Sequence, residues 1–403
     1  MDQILAELFS GVVDMISIAG LKSLIMFAIA GVLIYLAVKK DYEPTLLLPI
    51  GFGCILANLP GAIDAVTGLK APAALGEAGF LSVLFNAGIA NELFPVLIFI
   101  AVGAMIDFSP LLKDPSMIFF GAAAQFGIFA TFLLSLVLIP AIPGLVAEGD
   151  SDMVLKLASA IGIIGAADGP TTLFVANHFQ LKDYMGPISV AAYSYMALVP
   201  VIQPPVIKAL TTKKERMIRM DYQEERCSKT TLILFPIIVT IVAGIIVPMS
   251  APLVGSLMFG NLIRECGVLE RLSKTAQNEL ANLVTIVLGI TVGGTMVADK
   301  FLHPTTALIL ILGLFAFVFD TAGGVLFAKF LNLFRKKKIN PMIGAAGISA
   351  FPMSSRVIAK MALKDDPSNF ILMQSTSANV SGQLGSIVAG GMVITLVSML
   401  LGG

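Results

Sequence analysis

The sequence has few charged residues and few of the residues that build soluble active sites. Only 13% of its 403 residues are charged, against about a quarter in soluble domains. It has no Trp, two His and three Cys, and the Cys are too widely spaced for a CxxC pair or a disulfide framework. It contains neither GxxxxGK[ST] nor HExxH. The chain is therefore not a P-loop ATPase, and its sequence shows no sign of a zinc centre.

Apolar residues dominate what is present. They make up 57% of the chain, and the mean hydropathy is +0.92, which indicates an all-α polytopic membrane protein. Lys plus Arg equals Asp plus Glu, at 26 each, so the charge balance gives no reason to expect a nucleic-acid partner. Several apolar runs are short or interrupted by Gly and Pro. We expect about ten crossing segments plus two or more broken or re-entrant half-helices.

The chain divides into four regions by composition. Residues 1–20 lack the basic start and cleavage site of a signal peptide, so we expect a retained, interfacial segment. Two transmembrane halves follow, residues 21–210 and 231–403, joined by a mobile, charged cytoplasmic linker at 211–230. Basic clusters at Lys39–Lys40, residues 208–229 and residues 335–338 should face the cytoplasm. They are either topology signals alone or a docking surface for a soluble partner.

Two pairs of segments repeat in the same order in the two halves. Residues 98–112 (IFIAVGAMIDFSPLL) resemble 286–302, and residues 163–172 (IIGAADGPTT) resemble 342–355 (MIGAAGISAFPMSS). Paired Gly/Pro-broken segments of this kind indicate the binding site of a transporter. Short Gly- and Ala-rich matches also arise by chance in membrane proteins. The pattern favours a repeat but does not tell whether it is parallel or inverted.

Asp168 is the most informative single residue. It is the one charged residue within GIIGAADGPTTLF, residues 162–174. An ionisable side chain at membrane depth is costly and normally handles ions or protons. The Gly and Pro residues beside it break a helix and free backbone carbonyls for cation binding. The alternative is an Asp that simply caps the helix beginning near Pro170.

Neutral oxygens for a cation site occur near the last apolar run. Residues 375–386, STSANVSGQLGS, offer Asn379, Ser381 and Ser386 as ligands for a hard monovalent cation, unless they only form a polar helix start. Tyr193 and Tyr195 are either membrane-interface aromatics or proton shuttles near a carboxylate.

Asp107 and Asp299 occupy equivalent positions in the repeat. Each is a weaker candidate, either for a second ion site or for an interfacial anchor.

Five segments carry a resemblance to a known family. They are GIIGAADGPTT, AAYSYMALVPVIQPP, MFGNLIREC, ERLSKTAQNEL and TAGGVLFAKFLNLF. From about Met26 to the C-terminus, the chain resembles the beta subunits of the sodium-pumping, biotin-dependent decarboxylases, which act on oxaloacetate, methylmalonyl-CoA or glutaconyl-CoA.

The resemblance implies a membrane translocase linked to decarboxylation, of EC 7.2.4 type. Such a subunit decarboxylates carboxybiotin, which a partner supplies, takes up a proton and exports Na⁺. The implied partners are a carboxyltransferase alpha subunit, a biotin carrier protein and a small gamma or delta membrane subunit. The implied location is the bacterial inner membrane, among membrane lipid, and a homo-oligomer is left open. The implied fold is an inverted-repeat, elevator-like transporter.

The resemblance also assigns residues. The Asp of the family's ADGP motif, which handles sodium and protons, falls on Asp168. The functional tyrosine falls on Tyr195, with Tyr193 as the alternative. The Asn–Val–small–Gly motif falls on residues 379–382, followed by Gly385 and Ser386. Ser381 and Gln383 stand where the family pattern has Ala and Val, which makes this end of the site more polar.

Two other functions remain compatible with the residues alone. One is a stand-alone, sodium-coupled secondary carrier of an organic acid, without biotin. The other is a membrane anchor that only gathers soluble enzymes, although an anchor has no need of a buried carboxylate.

Overall fold

The structure is a computed structural model. It describes residue 15 and residues 18–60, 62–63, 70–71, 79–142, 146–147, 149–182, 184–220 and 227–402. Most of the expected interfacial segment at residues 1–20, and residues 221–226 of the expected linker, lie outside the described residues.

The regular secondary structure of the described chain is helical apart from one antiparallel pair of two-residue strands, β1 (Ala62–Ile63) and β2 (Lys70–Ala71). The helices of the first half and the linker are α1 (Ile18–Lys40), α2 (Pro44–Asn58), α3 (Phe80–Leu84), α4 (Leu93–Met105), α5 (Ser109–Lys113), α6 (Ile118–Ala124), α7 (Phe126–Ala141), α8 (Ser151–Ile164), α9 (Gly169–His178), α10 (Met185–Leu210) and α11 (Lys213–Arg216).

The second half repeats this mixture of long and short helices. They are α12 (Lys229–Ile246), α13 (Ala251–Glu265), α14 (Glu270–Thr275), α15 (Ala281–Gly294), α16 (Ala298–Phe301), α17 (Pro304–Phe334), α18 (Met342–Ala345), α19 (Met353–Asp365) and α20 (Leu372–Leu400). Single turns of π-helix, Phe85–Ile89 and Ala276–Leu280, follow α3 and α14.

Six helical stretches of the described chain are long and apolar enough to cross a membrane. A bent pair, Phe80–Ile89 with Leu93–Met105 at 61°, would make a seventh. The sequence predicted about ten. The described chain has fewer, because several apolar runs fold as helices shorter than the ~20 residues that a full span needs. One of these is α2, which has 15 residues with Pro49 inside it.

Two helix pairs join the halves through glycines that the repeat comparison aligned. Gly103 of α4 lies against α13, where an added Cβ would stand 1.8 Å from the Leu257 carbonyl oxygen. Gly293 of α15 lies against α2, where a Cβ would stand 2.1 Å from the Ile50 carbonyl oxygen. Helices approach this closely in membranes only where small residues meet. We call α1, α2, α4, α12, α13 and α15 the paired-helix group, since α1 also packs on α2 and α12 on α13.

The remaining long helices form a second group around two helix breaks. In this group α17 packs against α7, α10 and α18, and α20 packs against α6, α9 and α19. We call α6 to α10 and α17 to α20 the broken-helix group. One chain break separates α8 from α9, and the other separates α18 from α19. The sequence predicted helix breaks at both segments.

The described part of the linker is bound to the second half of the chain. Arg216 Nε lies 2.6 Å from Asp365 Oδ2, and Arg219 Nε lies 2.7 Å from Asp366 Oδ2. Asn340 Nδ2 donates to the carbonyl oxygens of Arg216 at 2.8 Å and Ile218 at 3.0 Å. The expectation of a mobile linker is therefore wrong for residues 211–220, since these bonds tie them to the second half.

Candidate functional site

The two helix breaks meet inside the broken-helix group. Four residues separate the end of α8 at Ile164 from the start of α9 at Gly169. The Ser349 amide, in the other break, donates to the Ala166 carbonyl oxygen at 3.0 Å. Ala167 has a φ of 53°, in the left-handed region that an alanine rarely adopts. This strained turn aims the next residue, Asp168, at the junction.

Asp168 is 3% exposed and caps α9. Its Oδ1 accepts from the Thr171 amide at 3.1 Å. Its Oδ2 accepts from Thr171 Oγ1 and from Ser386 Oγ, each at 2.7 Å, while Gln383 Nε2 lies at 3.5 Å. The capping role that the sequence left open is thus present, together with contacts from the second half. Oδ1 accepts one of these hydrogen bonds and has a second lone pair, which leaves acceptor capacity for a cation.

One face of α20 supplies the second-half groups. Asn379, Gln383 and Ser386 are spaced four and three residues apart, so they share a face. Asn379 Nδ2 donates to the Ile348 carbonyl oxygen at 2.7 Å. Its buried Oδ1 has no hydrogen-bond partner, and an unpartnered buried oxygen is costly unless a ligand fills the gap. Asn379 therefore presents a free oxygen beside the second break.

Two hydroxyl groups near Asp168 also lack a hydrogen bond. The Tyr193 hydroxyl is buried and unpartnered. Its ring lies against Gly169, where a Cβ would stand 2.3 Å from Tyr193 Cε1. The buried Ser349 hydroxyl faces Asp168 but makes no hydrogen bond of good geometry. Both residues line a cavity of about 230 Å³ together with Asp168 and Gln383. The opposite wall of the cavity comes from α2, α4 and α15, so it lies between the two helix groups.

Two predicted site residues point elsewhere. The Tyr195 hydroxyl donates to the Leu310 carbonyl oxygen of α17. Tyr193 and Tyr195 are two residues apart on α10, which places them about 200° apart around the helix. Ser381 likewise faces away, since its Oγ accepts from the Gly121 amide at 3.1 Å and lies 2.9 Å from the Met117 carbonyl oxygen. The structure brings Tyr193, not Tyr195, to Asp168.

The two weaker carboxylates lie outside the site. Asp107 Oδ1 accepts from the Ser109 amide at 2.8 Å, next to the start of α5. Asp299 is exposed and lies 2.8 Å from Lys22 Nζ. This geometry supports the anchoring alternative for both residues.

Sequence reasoning missed Ser349 and Asp320, and it did not propose Gln383 as a site residue. Ser349 lies in the segment that the repeat comparison aligned with the segment of Asp168. That alignment could have identified Ser349 as a site residue. Asp320 is a fully buried carboxylate in the apolar helix α17. The rule that singled out Asp168 would have found it as well.

The site is suited to a hard monovalent cation. Its side chains offer carboxylate, amide and hydroxyl oxygens, which such ions prefer. The described chain contains no cluster of three or more His, Cys, Asp or Glu that could hold a metal ion. One carboxylate with neutral oxygens carries a single negative charge, which matches one Na⁺ or one proton.

Comparisons with known proteins show the family of this chain. Residues 22–397 match the family described as the Na⁺-transporting oxaloacetate decarboxylase beta subunit. The oxaloacetate decarboxylase beta chain of Klebsiella pneumoniae is 44% identical, over 93% of this chain and 94% of its own length. The methylmalonyl-CoA decarboxylase beta subunits of Propionigenium modestum and Veillonella parvula are 47% and 46% identical, each over 93% of this chain. They are covered over 94% and 93% of their own lengths. The chain belongs to the family of Na⁺-transporting oxaloacetate decarboxylase beta subunits.

Proposed function

We propose that this chain is the membrane subunit of a decarboxylase sodium pump, which couples decarboxylation of carboxybiotin and proton uptake to export of Na⁺. The observation that carries the proposal is Asp168, a buried carboxylate that accepts from Ser386 of the second half at the junction of two helix breaks. Family membership supports the chemistry, because the relatives are named as beta subunits of decarboxylases. The same names disfavour a stand-alone carrier of organic acids.

In the proposed sodium site Asp168 supplies the charge. Asn379 Oδ1, Ser386 Oγ and Ser349 Oγ supply neutral oxygens. Ser386 already contacts the Asp168 carboxylate, while the other two oxygens are buried without partners. Ser381 and Asp107 are left out of this site because their oxygens bond elsewhere.

Coupling follows from the single negative charge. A buried carboxylate is costly unless it is neutralised, and either one Na⁺ or one proton neutralises Asp168. Binding of one therefore weakens binding of the other. Proton entry on one side of the membrane would release Na⁺ there.

Decarboxylation itself requires a proton at the site. When the C–N bond of carboxybiotin breaks, CO₂ leaves and the electron pair stays on the ring nitrogen, which then takes up a proton. Tyr193 lines the cavity together with Asp168, and its hydroxyl has no hydrogen-bond partner, which supports it as the donor. Tyr193 is reprotonated through Asp168 in this scheme, so the catalytic pair is Asp168 and Tyr193.

The proposed transport motion is of the elevator type, with inverted repeats. The paired-helix group would serve as the scaffold and the broken-helix group as the moving core. Two features support this division: the glycine-tight helix pairs that join the halves in the first group, and the cavity between the groups. Crossed broken helices near the membrane midplane are typical of inverted-repeat transporters.

The proposed partners are a carboxyltransferase alpha subunit, a biotin carrier protein and a small gamma or delta membrane subunit. Carboxybiotin has to reach the bacterial inner membrane from a soluble carrier on the cytoplasmic side. The linker and the stretch after α17 lie on one face, since Asn340 contacts Arg216 and Ile218. The exposed basic residues 335–338 beside this contact would attract an acidic carrier and the carboxylate.

Reconstitution tests the proposal. The chain would be isolated from its host membrane by an affinity tag, probed for a co-purifying biotinylated protein and placed in liposomes. We expect substrate decarboxylation to drive uptake of ²²Na⁺, and a Na⁺ ionophore to abolish the accumulation but not the decarboxylation. Sodium exchange without any biotinylated partner would instead support the stand-alone carrier. An EC 7.2.4 assignment requires the coupled result.

A further inference from the structure

Asp320 is a second buried carboxylate that the proposed sodium site does not use. It lies inside the 31-residue helix α17 and is 0% exposed. A carboxylate at membrane depth is costly and is retained only where it has a function. Its contacts are therefore informative.

Asp320 binds the start of a neighbouring helix. Its Oδ1 accepts from the Ile128 amide at 3.1 Å, and it lies so close to Gly127 that an added Cβ would stand 2.3 Å from Oδ1. Gln125 interrupts the helix between α6 and α7, and the Ile128 amide donates to the Gln125 carbonyl oxygen at 3.1 Å as well as to Asp320. Asp320 therefore supplies a second acceptor, from α17, and links that helix to the α6–α7 break.

The α6–α7 break in turn contacts the second break of the sodium site. Gln125 Nε2 donates to the Gly121 carbonyl oxygen at 2.8 Å and to the Gly347 carbonyl oxygen at 3.3 Å. Gly347 immediately precedes Ile348, whose carbonyl oxygen holds Asn379. Ser349 follows, and its hydroxyl faces Asp168. A shift of Gln125 would therefore move the backbone that orients two of the proposed sodium ligands.

The residues after Asp320 extend this contact. At Gly323 a Cβ would stand 3.1 Å from the Ala123 carbonyl oxygen, beside the α6–α7 break. At Gly324 it would stand 2.0 Å from the Gly344 carbonyl oxygen, at the end of α18. We call Asp320, Gly323 and Gly324 the α17 clasp, because these three residues contact the α6–α7 break and α18.

We propose that Asp320 is a positioning residue, which sets sodium affinity by holding the α6–α7 break and, through Gln125, the Gly347–Ser349 backbone. The inference rests on the proposed sodium site at Asp168. Because only the acceptor Oδ1 is used, a neutral amide at this position preserves the function. Asp320 Oδ2, which has no hydrogen-bond partner, takes no part.

The test measures sodium-dependent decarboxylation of the purified, reconstituted complex across Na⁺ concentrations. Asp320→Ala removes the acceptor on α17 and leaves the Ile128 amide with its 3.1 Å bond to the Gln125 carbonyl oxygen. Gln125→Leu removes the bond to Gly347. Each should raise the half-saturating Na⁺ concentration by about tenfold. The rate at saturating Na⁺ should fall by less than about threefold, because the reacting groups remain. Asp320→Asn should restore the wild-type Na⁺ requirement to within about threefold.

The matched control is Thr321→Val. It alters the next residue of the same helix, which is equally buried and whose hydroxyl has no hydrogen-bond partner. It should leave the half-saturating Na⁺ concentration unchanged. An Asp320→Asn variant as inactive as Asp168→Asn would overturn the inference and make Asp320 an ion or proton carrier. An unchanged Na⁺ requirement in Asp320→Ala would overturn it as well.

Two further variants separate the possible outcomes. If Asp320→Ala cannot be recovered folded, Gln125→Leu decides the question without altering Asp320, and an unchanged Na⁺ requirement there rejects the inference. Asp168→Asn in the same assay separates the two proposals. If it retains the sodium response, the sodium site is wrong; if it loses the response while Gln125→Leu keeps the wild-type requirement, only the α17 clasp is wrong.

Discussion

Replacing Asp168 by Asn removes one negative charge while keeping nearly the same shape. The amide oxygen can still accept from the Thr171 amide, and the hydroxyls of Thr171 and Ser386 can turn to accept from the new NH₂ group. We therefore expect the variant to fold. It loses the Coulomb attraction to the bound cation, about 4 kcal/mol at 4 Å with an effective dielectric constant of 20. That energy corresponds to roughly a thousandfold loss of Na⁺ affinity.

Two assays measure this loss in the reconstituted complex. Decarboxylation should no longer be stimulated by Na⁺ at concentrations that saturate the wild type, and ²²Na⁺ accumulation should disappear. In detergent, Na⁺ should raise the thermal midpoint of the wild type relative to an equal concentration of choline, since it binds the native state preferentially. The midpoint of Asp168→Asn should respond equally to both salts.

Asp107→Asn is the matched control, because Asn can also accept from the Ser109 amide outside the site. It should behave as wild type in both assays. Near-normal sodium-dependent turnover in Asp168→Asn would refute the assignment of the sodium site. An equal thermal response in all three proteins would point to a general salt effect.

Three further predictions concern the tyrosines, α20 and the basic surface. Tyr193→Phe should lower the decarboxylation rate by about 10²–10⁴-fold through loss of a proton donor. Tyr195→Phe should retain the rate to within about tenfold, as for loss of one hydrogen bond, and comparable losses in both variants would contradict the assignment. Asn379→Ala should shrink the sodium-induced thermal shift, while Ser381→Ala, on the opposite face of α20, should preserve it; equal shifts would exclude Asn379 as a ligand. Replacing all four basic residues at 335–338 with Gln in the inserted protein should weaken binding of the biotin carrier and reduce the salt dependence of that binding, without altering the sodium-induced thermal shift. Unchanged carrier binding would mean that the cluster serves topology only.

The sequence was sufficient for features that depend on local composition. Asp168 stood out because a lone carboxylate in apolar sequence is rare, and the helix breaks followed from Gly and Pro at 162–170 and 342–352. Ser386 was predicted as a polar oxygen, and it contacts Asp168. Each of these inferences required only residue type and neighbourhood.

The sequence was insufficient where helix phase decided the outcome. Residue type alone does not distinguish Tyr193 from Tyr195. Only the rotation of α10 shows which of the two faces Asp168. The same holds for Asn379 and Ser381 on α20. Hydropathy cannot fix rotation in a helix that is buried on most sides, because it shows no clear apolar face.

The hydrogen bond between the Ser349 amide and the Ala166 carbonyl oxygen has a consequence for biosynthesis. Its partners belong to opposite halves of the chain, and Ser386, which contacts Asp168, is made later still. At about 5–20 residues per second, the ribosome needs roughly 10–40 s to proceed from Ala166 to Ser349. Throughout that interval the first half is in the membrane with the Asp168 carboxylate lacking its second-half contacts. The nascent first half is thus an intermediate without the second-half oxygens of the proposed sodium site, and that site is completed only when translation is almost finished.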